Sequence, residues 1–317
     1  MEVEVRQLRM ICQIVKSGSM TRAAAELNIT QPALTYQLQR AERMFGGALF
    51  VRDRRGTRPT ALGELVLNYA RTLLPSLDKL VSETRLRTET GADVPSLVRM
   101  ASQPSPVAAP VVQRLGELLP GSELVVRQQR SGREILELIA ASNLELATVL
   151  EHPELPLPRP DGVVLHEIVT EPLFVAMAAT GPLADRSEIR LADLAEQSWI
   201  LPEELEVQCS EYLHLVCQRA GFTPTIGYRL GGFTARDVLR RGLAVALAQA
   251  TSTFGDGVAV LPIADVKTEL RHVLAIAADS PVAVHTAALL EAADAGYWDS
   301  AARAGVYQRW LTRRMAG

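Results

Sequence analysis

The sequence predicts an α/β chain led by a winged helix–turn–helix and a long linker helix, and three observations carry that expectation. Within the first 60 residues, two short helical patterns joined by a tight turn run into an arginine-rich hairpin. One long amphipathic pattern then spans about residues 60–89. Beyond residue 95, short apolar runs alternate with helical patterns, as in sheets of mostly parallel strands joined by crossover helices. A chain of 317 residues with 48% apolar and 22% charged side chains is long for one domain, so two or three compact units are expected.

In the first of the paired helices, Ser19 is placed as N-cap of a segment ending at Leu27, and Ala23, Ala24 and Ala25 let a second helix cross closely. Asn28 tolerates the left-handed conformation of a tight turn. Thr30 caps the second helix, and Pro32 sits in its first turn, where a missing N–H costs nothing. Ala33, Leu34, Leu38, Ala41 and Met44 form an apolar stripe toward the first helix. Gln31, Thr35, Tyr36, Gln39, Arg40 and Arg43 are left outward. Amides, hydroxyls and guanidiniums on an outward face suit the edges of base pairs in a DNA major groove. The plainer alternative is a helical hairpin with a solvated polar face.

Residues Leu49 to Thr60 read as a strand, a basic turn at Gly56 and a second strand, together a wing. Its four arginines, Arg52, Arg54, Arg55 and Arg58, would ordinarily be a solvated charge run. Beside a recognition helix they suit phosphates or the minor groove. Residues 1–60 carry 10 Lys/Arg against 5 Asp/Glu, while the remainder carries 23 against 31. Positive charge is thus gathered at the end that would meet nucleic acid.

The run Leu8, Gly18-Ser19, Ala23-Ala24, Leu27, Gln31-Pro32-Ala33-Leu34, Leu38, Glu42, Gly46, Leu49-Phe50-Val51-Arg52 and Thr60-x-x-Gly63 resembles the winged helix–turn–helix of LysR-type transcriptional regulators. The resemblance covers roughly the first 65 residues. It implies sequence-specific binding of double-stranded promoter DNA, with Gln31, Pro32, Thr35 and Tyr36 reading base edges and Arg52, Arg54 and Arg55 holding phosphates or the minor groove. Ser19, Thr21, Arg22, Thr30, Gln39, Arg40 and Thr57 complete the expected interface. Family members commonly carry Ser and Arg where this chain has Thr35 and Tyr36, so its base preference is expected to differ from theirs.

From Thr60, which can cap the start, Leu62, Leu65, Val66, Tyr69, Leu73, Leu77, Leu80 and Thr84 repeat at threes and fours. A helix this long and one-sided calls for a partner helix from a second subunit, and the resemblance implies antiparallel pairing in dimers that join as tetramers. The alternative is a helix packed along its own domain. Pro75 either kinks it or divides it in two. The expected organisation is a DNA-binding domain over 1–60, a linker helix over 61–90 and a second half over 91–317, with Gly91 to Pro95 as hinge.

In that second half, Leu97–Ala101, Leu124–Arg127 and Leu144–Val149 read as strands, with helices through Leu119 and near Glu134–Ala141. Leu144-Glu145-Leu146-Ala147, Ala220-Gly221-Phe222-Thr223-Pro224 and Gly242-Leu243-Ala244-Val245-Ala246-Leu247 are similar to landmarks of the same family's effector domain, with Ala244 where a second glycine is usual. The resemblance implies a two-lobed periplasmic-binding-protein-like fold, lobe I over about 95–170 and 265–317, lobe II over about 171–264. A small-molecule effector would bind between them and change the spacing of the DNA-binding heads, with RNA polymerase a candidate partner.

Ligands of open α/β sheets sit where strand ends enter helix N-termini, which also favour anions. Four loops qualify. Ser102, Ser131 and Thr234 offer hydroxyls, Gln103 and Gln208 offer amides, and Phe233 can cover an apolar part; Ser105, Gly132, Pro202 and Val207 lie in the same loops. For each, capping or turn chemistry is the competing reading. Glu203, Glu204 and Glu206 put negative charge at one rim, and Cys209 and Cys217 share one helical face. The tail from Leu289 to Arg314 is expected to pack on the first lobe.

Several classes are disfavoured. There is no nucleophile elbow, phosphate loop, dinucleotide fingerprint or paired acid/base constellation, so an enzyme with an accessory DNA-binding head is the weaker reading. A purely architectural DNA-binding protein would leave the polar strand-end loops unexplained. Cys12, Cys209 and Cys217 make no Cys-x-x-Cys pattern and the five histidines are scattered, so neither a metal nor a cofactor is expected. With no run of eighteen apolar residues and a charged start, MEVEVRQLRM, a cytoplasmic, reduced protein is expected.

Overall fold

Capping chemistry sets the head of the molecule. In the computed structural model, which describes residues 3–53, 56–90, 95–129, 131–181, 183–202 and 206–315, the chain divides between residues 92 and 93 into two units. Helix α1 (Val5–Ser17) opens with a reciprocal cap in which the Glu4 and Gln7 side chains each accept the other's backbone N–H. Helices α2 (Met20–Glu26) and α3 (Gln31–Phe45) follow, with Asn28 between them at φ 54°. The Thr30 hydroxyl accepts from Ala33 N at 3.3 Å. Ser19 holds the N-cap position of α2, but its side chain makes no cap hydrogen bond. Ile11, Ile14, Ala23, Leu34, Leu38 and Ala41 seal the three helices together, the alanine admitting a close crossing.

The wing is the antiparallel pair β1 (Phe50–Asp53) and β2 (Gly56–Pro59). Gly56 pairs with Asp53 inside the ladder rather than forming the turn expected at it, because cross-strand register takes it into the second strand. Helix α4 (Ala61–Thr90) then runs 30 residues, about 45 Å at 1.5 Å per residue, and passes Pro75 as one helix. The Thr60 hydroxyl caps it, accepting from Gly63 N at 3.0 Å and donating to Ala48 O at 2.7 Å. A Cβ on Gly63 would stand 2.1 Å from Leu49 O, so the helix can start this close to the wing only without a side chain there. Val66, Leu67 and Ala70 pack into the head, whereas Leu65, Tyr69, Leu73 and Leu80 remain 48–65% exposed.

The second unit opens with β3 (Leu97–Ser102), α5 (Ala108–Leu118), β4 (Glu123–Gln128), α6 (Gly132–Ala140) and β5 (Leu146–Glu151), with β3 parallel to both β4 and β5. The chain continues without a helix into β6 (Val163–Glu171) and crosses at Pro172 into β7 (Leu173–Ala178). Next come β8 (Ser198–Leu201), α7 (Glu206–Arg219), β9 (Thr225–Arg229), α8 (Gly232–Arg240), β10 (Ala246–Gln249) and β11 (Val258–Pro262), then β12 (Leu270–Ala277). β12 lies between β5 and β6, antiparallel to both, in a sheet of order β4-β3-β5-β12-β6. The second lobe holds the antiparallel sheet β10-β7-β11 and the parallel pair β8-β9.

The expectation of mostly parallel strands is therefore corrected to a mixed arrangement. Parallel pairs occur where a helix carries the chain back; strands that pass between the lobes have no such crossover and return antiparallel. The tail forms α9 (Thr286–Arg303) and α10 (Gly305–Met315). Leu289, Ala293, Tyr297 and Tyr307 from these helices enter the same core as Met100 of β3 and Leu115 of α5. Of the hinge expected over Gly91 to Pro95, residues 91–94 lie outside the described residues.

Candidate nucleic-acid interface and ligand cleft

Burial divides α3 cleanly. Leu34, Leu38 and Ala41 face the head's core, while Gln31, Pro32, Tyr36, Gln39, Arg40 and Arg43 are exposed, Tyr36 at 64%. Thr35 is half-buried and its Oγ1 is enclosed without a partner among the described residues, so the group it can offer outward is its methyl. Thr21, Arg22 and Thr30 are exposed and Ser19 half-buried beside them. Arg40 leans on Glu4 at 3.3 Å, a pair open to water on both sides and readily exchanged for a phosphate. Thr57 departs from expectation: it is buried and its N–H donates to Gly18 O at 3.1 Å, so it ties the wing to the head instead of facing outward. Arg54 and Arg55 lie outside the described residues, as does the side chain of Arg52.

The ligand-cleft residues divide as well. Gln103 is buried; its N–H donates to Thr148 O at 3.0 Å and its Oε1 accepts from Leu150 N at 2.8 Å, stitching β3 to β5. Ser131 caps α6 through Glu134 N at 3.2 Å, and Gly132 is buried where a Cβ would stand 2.9 Å from Leu157 Cδ1. The Gln208 amide donates to the Leu155 carbonyl. These four were expected at a ligand; Gln103, Ser131 and Gln208 have structural partners and Gly132 a packing constraint that the sequence alone could not display. Ser102, Ser105 and Pro202 are half-buried at strand ends, and Thr234 is exposed. Phe233 is 82% exposed beside an open cavity of about 290 Å³ lined also by Arg236, Asp237, Arg240 and Asp256. The side chains of Val207 and of Glu203, Glu204 and Glu206 lie outside the described residues.

Sequence reading missed a buried polar chain behind Ser105. Ser105 Oγ lies 2.8 Å from His272 Nδ1, and His272 Nε2 lies 2.7 Å from Glu171 Oε1. Glu171 Oε2 accepts from Thr251 N–H at 3.2 Å and from the Tyr297 hydroxyl at 3.4 Å, which meets the Tyr307 hydroxyl at 2.9 Å. His272 and Glu171 are fully buried, and burial holds the Tyr297 phenol far above its usual range. The one available signal was a carboxylate opening the apolar run Glu171–Ala176; its partner is 101 residues away.

A second missed pair joins the lobes. His152 stacks on Tyr212 with ring centroids 3.7 Å apart, and burial pushes its imidazole down to about 4. Other buried carboxylates have cationic partners, Glu145 with Arg99 at 2.8 Å and Glu151 with Arg159 at 2.8 Å. Burial pushes the Cys209 and Cys217 thiols up to about 12, which makes both poor nucleophiles. Among the described residues no cluster of His, Cys, Asp or Glu could hold a metal ion, and no helix is long and apolar enough to cross a membrane.

Comparison with known proteins agrees with this geometry. Residues 5–64 match the model of the bacterial regulatory helix-turn-helix protein, lysR family, and residues 97–297 match the LysR substrate binding domain. The chain is 34% identical over 309 residues to a small neutral protease regulatory protein of Streptomyces coelicolor, covering 97% of this chain and 96% of that one. It is 29% identical to the HTH-type transcriptional regulator BudR of Raoultella terrigena, over 69% of this chain and 74% of the other. Among solved structures, the LysR family regulator CbnR superposes with a TM-score of 0.67 at 19% identity, covering 94% of this chain and 99% of that one. The curated relatives are named as regulators rather than enzymes, and the chain belongs to the LysR family of transcriptional regulators: a helix–turn–helix DNA-binding head followed by an effector-binding domain.

Proposed function

We propose that this regulator reads its operator chiefly through α3. Gln31 would pair with adenine, the outward Thr35 methyl would meet thymine, and Tyr36 would replace a charged contact with a ring bearing one hydroxyl. Pro32, Gln39 and Arg40 border that surface; Ser19, Thr21, Arg22 and Thr30 sit toward the phosphates, with Arg52, Arg54 and Arg55 of the wing as clamps. The observation that carries this reading is the one-sided burial of α3.

The exposed leucines of α4 support pairing of two chains along that helix, so that two heads meet half-sites of a near-palindromic promoter. A tetramer, contact with RNA polymerase and action in the cytoplasm, where promoter DNA lies, follow from the same reading. A small-molecule effector would enter between the lobes near Ser102, Ser105, Pro202, Phe233 and Thr234. It shifts the regulator only by its difference in affinity for the two lobe arrangements.

The test is Gln31→Ala, measured against the best operator fragment and random DNA at fixed salt. Discrimination should fall by about 1–3 kcal/mol. An unchanged specificity ratio would refute base reading by this residue.

A further inference from the structure

We propose that Ser105 is an acyl-accepting nucleophile, activated by the buried His272–Glu171 pair, and that the ligand class captured there is an ester, thioester or other activated acyl compound. The proposal rests on the reading that ligands enter the cleft at the end of β3. Three features of the buried chain carry it. The serine, imidazole and carboxylate stand at 2.8 and 2.7 Å, within the reach that a nucleophile, its base and the orienting group require. With Nε2–H of His272 donating to Glu171 Oε1, Nδ1 is the ring nitrogen left to accept the Ser105 proton. The Tyr297 hydroxyl and Thr251 N–H also donate to Glu171, fixing the carboxylate that fixes the ring.

In the step itself, Ser105 Oγ attacks the acyl carbon while its proton passes to His272 Nδ1. The bond from the acyl carbon to the alkoxide or thiolate breaks, and the leaving group takes that proton away as an alcohol or thiol. A serine ester remains, and the imidazole returns to its starting form. Release by water retraces this path, with water in the place of the leaving group and Nδ1 taking its proton. One acyl group per chain is captured before any release, which suits a receptor that registers a signal by its own modification.

The ordinary role for such a chain is to tie the loop Ser102–Val107 to β12, and Ser105 Oγ also receives Val107 N–H at 3.4 Å. The two roles predict different results with p-nitrophenyl acetate on the full chain. Acyl capture gives a burst of one p-nitrophenolate per chain and an acetyl group mapped to Ser105. Ser105→Ala abolishes both, and His272→Gln slows the burst by about 100-fold or more. No acetyl on Ser105, or labelling undiminished in His272→Gln, overturns the proposal.

Should His272→Gln lose its fold by tryptophan fluorescence, Ser105→Cys replaces it. The new thiol should react with iodoacetamide far faster than Cys209 or Cys217, and an equal rate overturns the base assignment. Ser102→Trp separates the two readings. Acetylation of Ser105 that survives this blocked strand end leaves the nucleophile standing and sinks the cleft.

Discussion

The His152–Tyr212 stack makes stability depend on pH in a defined window. His152 belongs to the first lobe and Tyr212 to α7 of the second, and His152 is only 4% exposed. An imidazole in water titrates near 6.5, whereas burial lowers this one to about 4, against the weaker opposing pull of the Glu269 carbonyl at 3.1 Å. The folded chain therefore binds fewer protons than the unfolded chain between those values. Stability from this group is whole above pH 6.5 and is lost as pH falls toward 4. At roughly 1.4 kcal/mol per pH unit, the loss across the window is about 3 kcal/mol. His152→Phe keeps a ring against Tyr212 and removes the titration. All three tryptophans, Trp199, Trp298 and Trp310, lie in the second unit, so fluorescence-monitored urea unfolding reports on it alone. Other groups titrate in both proteins, so the difference in their pH slopes is the quantity that counts. Wild type should lose about 3 kcal/mol more than the variant between pH 6.5 and 4. Parallel slopes would show that His152 keeps its proton balance on folding and that the argument from burial is wrong.

Two further outcomes test other parts of the chain. Gly63→Ala places a Cβ against Leu49 O, and the forced shift of helix and wing should cost about 1–3 kcal/mol, read as a lower melting midpoint by circular dichroism. An unchanged midpoint would mean the approach of α4 to the wing is not tight. The double change Tyr69→Glu with Leu73→Glu puts charge on the exposed stripe of α4 and should convert dimers to monomers in sedimentation with helicity retained. A sedimentation coefficient that does not move would remove α4 from the subunit contact.

The head was legible nearly residue by residue because its determinants are local. Asn28, Thr30 and Pro32 act within three or four residues of themselves, so position in sequence is position in structure. An error in the wing has the same scale: Gly56 looked like a turn because glycine often is one, but cross-strand register decides, and register depends on a partner. The sheet order shows the limit more fully. β12 is an apolar run like any other in sequence, and nothing within it reveals that it inserts between β5 and β6 with reversed direction. The absence of helical pattern between β5 and β6 was visible, and weighing it would have recovered the antiparallel pairing.

Polar residues at strand ends pose a harder problem, because one side-chain chemistry serves two purposes. A helix start leaves N–H groups without partners, and Ser131 satisfies one of them; a ligand carboxylate would need the same group. Gln103 bonds β3 to β5 with an amide that could equally hold an effector. Composition cannot separate these uses, but partner counting can. A polar atom already matched by backbone has little to give a ligand. Ser105 differs because its partner is itself tunable: an imidazole can accept a proton and hand it on, which a backbone carbonyl cannot do. That distinction turns the serine with the most elaborate support into the one with the most chemistry to offer, and it follows from a His272–Glu171 hydrogen bond bridging 101 residues that no local reading could have assembled.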